Sequence, residues 1–369
     1  MILHQFKMKK NLYQLICCAL IAVTASSCKK EATVAPVVIT PLKTLGLYQY
    51  SSGNNKRIFI PITKVGTQVV NYYGIFDTGS TGMTLDADGI LPASMITSAG
   101  IVFSGDSINI NGITVTSKQS VMSYGDKTST TKEYGNLAYA PITIGDENGN
   151  ITTKRIPFFL YYKVVNTTTG EKYAAHSNDV FGVGPGTSFA SSAIASPLSY
   201  FDLGSSLTNG FRLALLNSAS FNSTGPYVAS LLSIGLTPSD LATTAGFIMH
   251  PLTYATAGGY SPNIPATITY NGQSVSGQVL FDTGSPSVSI IEDRLATNGL
   301  GNLPASSVVT ITTNKGFTYS YTTTSTSNLT AIQNPNISGD YRTIFSIDFF
   351  IKNQYLTDYT HHQIGLRNN

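Results

Sequence analysis

The chain has 369 residues, enough for two domains with a sizeable core. Only 11% of residues are charged, and the formal net charge of +3 comes from Lys7, Lys9 and Lys10 near the N-terminus, so the chain beyond residue 27 is neutral. There is no basic stripe, which argues against a nucleic-acid partner.

In chain order, the three lysines are followed by an apolar stretch, 12–23, too short to span a bilayer as a stable helix. Residues 1–27 therefore read as a signal peptide and are set aside from fold reasoning. Ala25-Ser26-Ser27-Cys28 resembles a bacterial lipoprotein cleavage site, with Cys28 as the lipidated residue, although Ala rather than Leu stands three positions before it. An ordinary secretory signal with an incidental cysteine is the alternative. The expected location is the cell envelope, on the periplasmic or surface face, with membrane contact only through lipidated Cys28. Cys17 and Cys18 fall inside the signal, so the exported chain has no pair of cysteines for an internal disulfide. Residues 28–45 read as an extended tether, with a short pro-segment as the other option.

Beyond the tether, short runs rich in Val, Ile, Thr and Tyr alternate with Gly, Asn, Asp and Ser clusters, the pattern of an all-β protein. Ile58-Phe59-Ile60-Pro61-Ile62 leads to Phe76-Asp77-Thr78-Gly79-Ser80 and then to Met83-Thr84-Leu85. The same order returns as Ile264-Pro265-Ala266-Thr267-Ile268, Phe281-Asp282-Thr283-Gly284-Ser285 and Val288-Ser289-Ile290-Ile291. The proline-to-aspartate spacings are 16 and 17, which predicts one strand–turn–strand unit before each aspartate. The chain therefore divides into an N-terminal lobe, 46–205, and a C-terminal lobe, 206–369, each supplying one aspartate. Short helices are expected around 188–201, 228–232 and 291–297.

Other polar clusters read as structural. Asp86-Ala87-Asp88-Gly89 and Asp146-Glu147-Asn148-Gly149-Asn150 lack the glutamate at loop position twelve of an EF-hand and are expected to be turns. His361-His362 has no evident third ligand, and His176 has no nucleophile context. Gly182-Val183-Gly184-Pro185-Gly186 is not followed by the Lys-Ser/Thr of a phosphate loop. No metal or cofactor is expected.

Two equivalent aspartates, Asp77 and Asp282, point to paired carboxylates sharing one proton across a pseudo-twofold axis. Such a pair can activate a water and protonate a carbonyl oxygen, as peptide hydrolysis requires. Gly79 and Gly284 permit close backbone approach, with their N–H groups expected to donate to the aspartates. The Thr78 and Thr283 hydroxyls are expected to reach the opposite strand, and Ser80 and Ser285 to donate to the outer carboxylate oxygens. Donors to a carboxylate lower its pKa, so an acid-side optimum is expected.

The chain resembles the pepsin family of two-lobed aspartic peptidases over essentially all of the sequence beyond the signal. After the first Asp-Thr-Gly-Ser, Ser123-Tyr124-Gly125 resembles the tip of that family's flap, and Tyr134-Gly135-Asn136-Leu137-Ala138 its returning strand. Asp179-Val180-Phe181-Gly182-Val183-Gly184-Pro185 resembles the run beside the first catalytic loop, with Asp179 read as a structural acceptor. Leu232-Ser233-Ile234-Gly235 resembles the strand opening the second lobe, and Asp348-Phe349-Phe350-Ile351 through Gln363-Ile364-Gly365-Leu366 the closing segment. The resemblance implies an all-β, bilobal fold of two β-barrel-like lobes with a central cleft, in which Tyr124 and Gly125 close over a peptide or protein substrate. It also implies a monomer. The departures are the absence of tryptophan, with Thr84 near the place of the indole that usually meets the flap tyrosine, and Ser346 where the second apolar-apolar-Gly run would have glycine. The implied activity is that of an aspartic endopeptidase. The alternative is a pepsin-like surface protein of weak or lost activity that binds a peptide, protein or glycan.

Overall fold

The computed structural model describes residues 38–297 and 300–369, of which Thr40–Asn369 forms one compact unit. The signal peptide, Cys28 and most of the tether lie outside the described residues. The last tether residues do not remain extended and free. Lys43, Thr44 and Leu45 begin strand β1 (Lys43–Ser52), pairing with Ile234, Ser233 and Leu232, because Leu45 and Leu47 have a core to enter.

The architecture is all-β. Alternation of apolar residues makes β2 (Asn55–Val65) and β3 (Gln68–Asp77) an antiparallel hairpin that delivers Asp77 at its end. Strand β4 (Thr81–Asp86) leaves the Asp77-Thr78-Gly79-Ser80 turn. The strand Val180–Val183 threads between them, parallel to β3 and antiparallel to β4, with Gly182 opposite both Asp77 and Gly82. The second half repeats this plan. The hairpin Ile264–Tyr270 and Gln273–Phe281 delivers Asp282, while Arg342–Phe345 runs parallel to the strand before the aspartate and antiparallel to Val288–Glu292 after it. Even the ring packing repeats: Phe76 stacks on Phe181 at 20° between planes, and Phe281 on Phe345 at 22°.

Among the described residues, a sheet of 14 strands carries the first site strand and a sheet of 8 strands the second. The larger sheet also recruits Thr208–Leu213, Tyr227–Leu236, Asn353–Asp358 and Gln363–Asn368 from beyond residue 205. One apolar core runs through both halves, and a smaller cluster of Met122, Leu137, Phe159, Tyr161, Val164 and Ile194 sits under the hairpin of Ile113–Gly125 and Thr130–Asp146.

The three expected helices are not formed as expected. The segment 228–232 is strand, part of Tyr227–Leu236. A bulge, marked by Ser230 at φ 61 and a register shift opposite Leu45 and Leu47, breaks its alternation and leaves a helix-like spacing of apolar residues. The 188–201 segment contains a single 3-10 turn, Pro197–Ser199, started by Ser196 accepting from Leu198 N. Ile291 and Glu292 finish a strand, after which Asp293 accepts from Leu295 N in a turn. Among the described residues, two short α-helices occur elsewhere. Pro238–Leu241 has Thr237 and Asp240 as a capping box, and Pro335–Ser338 starts on Asn334.

Gly182 shows how tightly the first half is threaded. A Cβ there would lie 2.7 Å from the Gly82 carbonyl oxygen and 2.8 Å from Ser80 Oγ, whereas Ser346 in the second half is buried and takes hydrogen bonds with Ser289. Gly182→Ala should lower unfolding stability by about 1–3 kcal/mol through overpacking. Ser346→Gly should cost about 1 kcal/mol, the usual worth of such bonds. Equal urea midpoints for Gly182→Ala and the parent would disprove tight threading.

Candidate active site

Asp77 ends its strand, Asp282 directly follows the equivalent strand, and the two meet at the junction of the halves. The carboxyls of Asp77 and Asp282 face each other closely enough for each to bear on the other's ionisation. A Cβ on Gly284 would lie 2.6 Å from Asp77 Oδ1 and 3.0 Å from Asp282 Oδ1, and one on Gly79 would lie 2.5 Å from Asp282 Oδ1. Only glycine leaves room for the opposing carboxyl at these two positions.

The two aspartate-bearing turns are bonded to one another by side chains. Thr78 Oγ1 donates to the Phe281 carbonyl at 2.8 Å, and Thr283 Oγ1 donates to the Phe76 carbonyl at 2.7 Å. Each hydroxyl also accepts from the other threonine's backbone N–H at 3.0 Å. Both threonines are fully buried, so every one of these groups would be costly to leave unpaired.

Each carboxyl has its own donors. Gly79 N–H donates to Asp77 Oδ1 at 2.7 Å and Ser80 Oγ to Oδ2 at 2.5 Å. Gly284 N–H donates to Asp282 Oδ1 at 2.7 Å and Ser285 Oγ to Oδ2 at 2.9 Å. Donors alone would pull the acid strength up, as expected above. Burial wins instead: desolvation and then the Asp282 charge hold Asp77 well above the ordinary carboxylate range, with Ser80 and Gly79 only partly offsetting them. Among the described residues no cluster of three or more metal-ligating side chains occurs.

Tyr124 and Gly125 close the long hairpin, with Gly125 paired to Thr130. Thr84, on β4, stands 3.4 Å from the Tyr124 hydroxyl. Its hydroxyl thus meets the tyrosine in a chain that has no indole. The hairpin tip crosses to the second half. Asp126 Oδ2 accepts from Gln333 Nε2 at 2.9 Å, and Lys127 N–H donates to the Ser338 carbonyl at 3.0 Å.

Asp179 is an acceptor hub, fully buried and taking bonds from Asp86 N–H and the Tyr161 hydroxyl, with His176 Nδ1 2.8 Å from its second oxygen. His176 stacks on Tyr72. The Asp86 and Asp146 clusters form turns, in which Asp86 Oδ1 accepts from Asp88 N–H and Asp146 Oδ1 from Asn148 N–H. His361 pairs with Asp358 and His362 stacks on Tyr260.

Glu133, Arg57 and Glu292 were not singled out from the sequence. Glu133 was legible in principle, since it falls in phase with inward-facing Leu137 on one strand. Its side chain is fully buried, Oε1 accepts from Asn178 Nδ2 at 2.7 Å, and Oε2 has no partner. Burial pushes its pKa up to about 8, against the lowering effect of Asn178 and Thr84.

No protein-family model matches the chain, and a search of curated proteins finds no significant match. Solved structures do. The chain is similar to the aspartic proteinase from Irpex lacteus, at 17% identity and TM-score 0.53, over 88% of this chain and 97% of that one. It is also similar to basic 7S globulin from soybean, at 12% identity and TM-score 0.55, over 88% of this chain and 95% of that one. At such identities the likeness establishes the fold: an all-β, bilobal, pepsin-like fold. One neighbour is named as a proteinase and the other as a globulin, so the fold alone does not establish catalysis.

Because Glu133 is held neutral, its contribution to stability is whole below the ordinary carboxyl pKa and is lost as pH rises through about 8. Unfolding free energy should therefore fall between pH 5 and pH 9, by up to about 1.4 kcal/mol per unit. Glu133→Gln should flatten that slope; an unchanged slope in this variant would refute the assignment.

Proposed function

We propose that the protein is an aspartic endopeptidase. The observation that carries the reading is the facing Asp77–Asp282 pair, each carboxyl held by a glycine N–H and a serine hydroxyl. Like charges this close do not both ionise, so the working form holds one proton between two carboxyls.

The chemistry follows from that form. The ionised carboxylate removes a proton from a water molecule, whose oxygen bonds to the scissile carbonyl carbon. The protonated carboxyl passes its proton to the carbonyl oxygen, giving a neutral tetrahedral diol. As the C–N bond breaks, the carboxyl that took the water proton gives it to the leaving nitrogen and a diol hydroxyl gives its proton to the other carboxylate, so the dyad keeps one proton and is restored to its starting arrangement. An extended peptide or protein substrate would lie between the lobes under Tyr124 and Gly125, paired along backbone edges. No cofactor takes part in this scheme, and one copy of the chain holds both aspartates.

A binding protein of weak or lost activity is the second reading. It is favoured by the flap tip already bonded to Gln333 and Ser338, which roofs the site, and by the likeness to a globulin. We further propose export and lipid anchoring through Cys28, from the lysine-led apolar start and the Ala25-Ser26-Ser27-Cys28 sequence. Radiolabelled palmitate should enter the parent and not Cys28→Ser; equal labelling would reject the anchor.

Incubated with a mixed peptide library, the parent should cleave and Asp77→Asn should be slower by at least about a thousandfold. Equal cleavage by both would reject the peptidase reading. The raised pKa of Asp77 revises the expected acid optimum. A carboxyl that keeps its proton to higher pH extends the singly protonated dyad toward neutrality, and activity then falls as pH rises and that proton is lost. The basic limb of the profile should stand above the ordinary carboxylate range, and a limb near pH 4 would overturn this.

A further inference from the structure

Arg57 breaks the symmetry of the paired site. It lies at the start of β2, four residues before Pro61, and its Nη1 donates to the Gly284 carbonyl at 2.6 Å. Gly284 is the residue whose N–H holds Asp282. Four residues before the matching Pro265 stands Ser261, so the other half offers no cation there.

The charge on Arg57 is otherwise unanswered. Lys56 is bonded to Asp348 at 2.7 Å, Arg212 to Asp240 and Arg342 to Asp340, but among the described residues Arg57 has no carboxylate at ion-pair distance. A guanidinium has five donors, and the Gly284 carbonyl takes one of them. Burial pulls its pKa down, and the carboxylates that push it back up are Asp282 first and Asp77 second. The other groups facing the pair do not restore symmetry. Arg342 also senses Asp282, but its fork is bound to both oxygens of Asp340. Tyr124 near Asp77 and Tyr355 near Asp282 both stay neutral, their pKa values raised by burial.

We propose that Arg57 is a positioning residue that places the negative charge of the dyad on Asp282 and leaves the shared proton on Asp77. A fixed cation on one side of a near-symmetric pair lowers the energy of the microstate with the anion nearest to it. In the peptidase reading, on which this inference rests for its consequence, Asp282 is then the base toward water and Asp77 the acid toward the carbonyl. Arg57 acts through the carboxyls and does not touch the reacting atoms.

Macroscopic titration cannot assign such a pair, so the test must read each carboxyl separately. Carbon-13 NMR of the full chain with labelled aspartate, assigned through Asp77→Asn and Asp282→Asn, gives both titration curves without substrate. In the parent protein, Asp282 should ionise at lower pH than Asp77. Arg57→Gln should raise the proton affinity of Asp282 at least about tenfold, one pH unit, and that of Asp77 by less, while Arg57→Lys should stay close to the parent. The inference is overturned if Asp77 ionises first, or if Arg57→Gln leaves the Asp282 curve in place. The order in the parent needs no variant, so a misfolded Arg57→Gln would not rescue the idea. Absence of hydrolysis with these shifts present would sink the peptidase reading alone, and hydrolysis without them would sink this inference alone.

Discussion

The reciprocal bonds of Thr78 and Thr283 are the constraint on which the site depends. Each hydroxyl accepts from the other threonine's N–H and donates to a carbonyl of the opposite strand, inside a region closed to water. Loss of one partner would leave buried groups unpaired on both halves, so the two turns are held as a unit rather than as two loops that happen to touch. The distance between the carboxyls follows from that clasp, as does the requirement for glycine at Gly79 and Gly284.

Once the carboxyls are fixed, their charge is settled by a contest of opposing effects. Serine hydroxyls and glycine amides favour ionisation, while burial and a neighbouring carboxyl oppose it. The opposition wins at Asp77 because desolvation acts on the whole charge, whereas its two donors recover only part of the lost hydration. Arg57 enters this contest from one side of a nearly twofold frame, through its bond to the Gly284 carbonyl.

The flap hairpin shows the same trade in its own supports. Thr84 presents a hydroxyl to Tyr124, Glu133 lies neutral behind them, and the tip is bonded across the site to Gln333 and Ser338. Glu133 pairs with Met122, three residues from the tip pair Gly125 and Thr130. Glu292 extends the pattern: it accepts from Ser338 Oγ beneath the tip, with its pKa raised to about 7 by burial and then by Asp340 and Asp126.

The repeated Phe-Asp-Thr-Gly-Ser and the matched proline spacings were sufficient to locate Asp77, Asp282 and the two hairpins that carry them, because strand alternation and turn chemistry are local properties written into consecutive residues. Local signals also misled, as at 228–232, where a bulge makes a strand look helical. Arg57 and Glu292 gave no comparable signal, for a charged residue on a strand reads alike whether it faces solvent or a buried partner, and Glu133 offered only its phase with inward-facing Leu137. Only the packed structure shows which acids burial pushes toward the neutral form and that, among the described residues, Arg57 has no carboxylate at ion-pair distance, since those depend on burial and on neighbours distant in the chain. Arg57 and Gly284, 227 positions apart, meet only once both halves have folded.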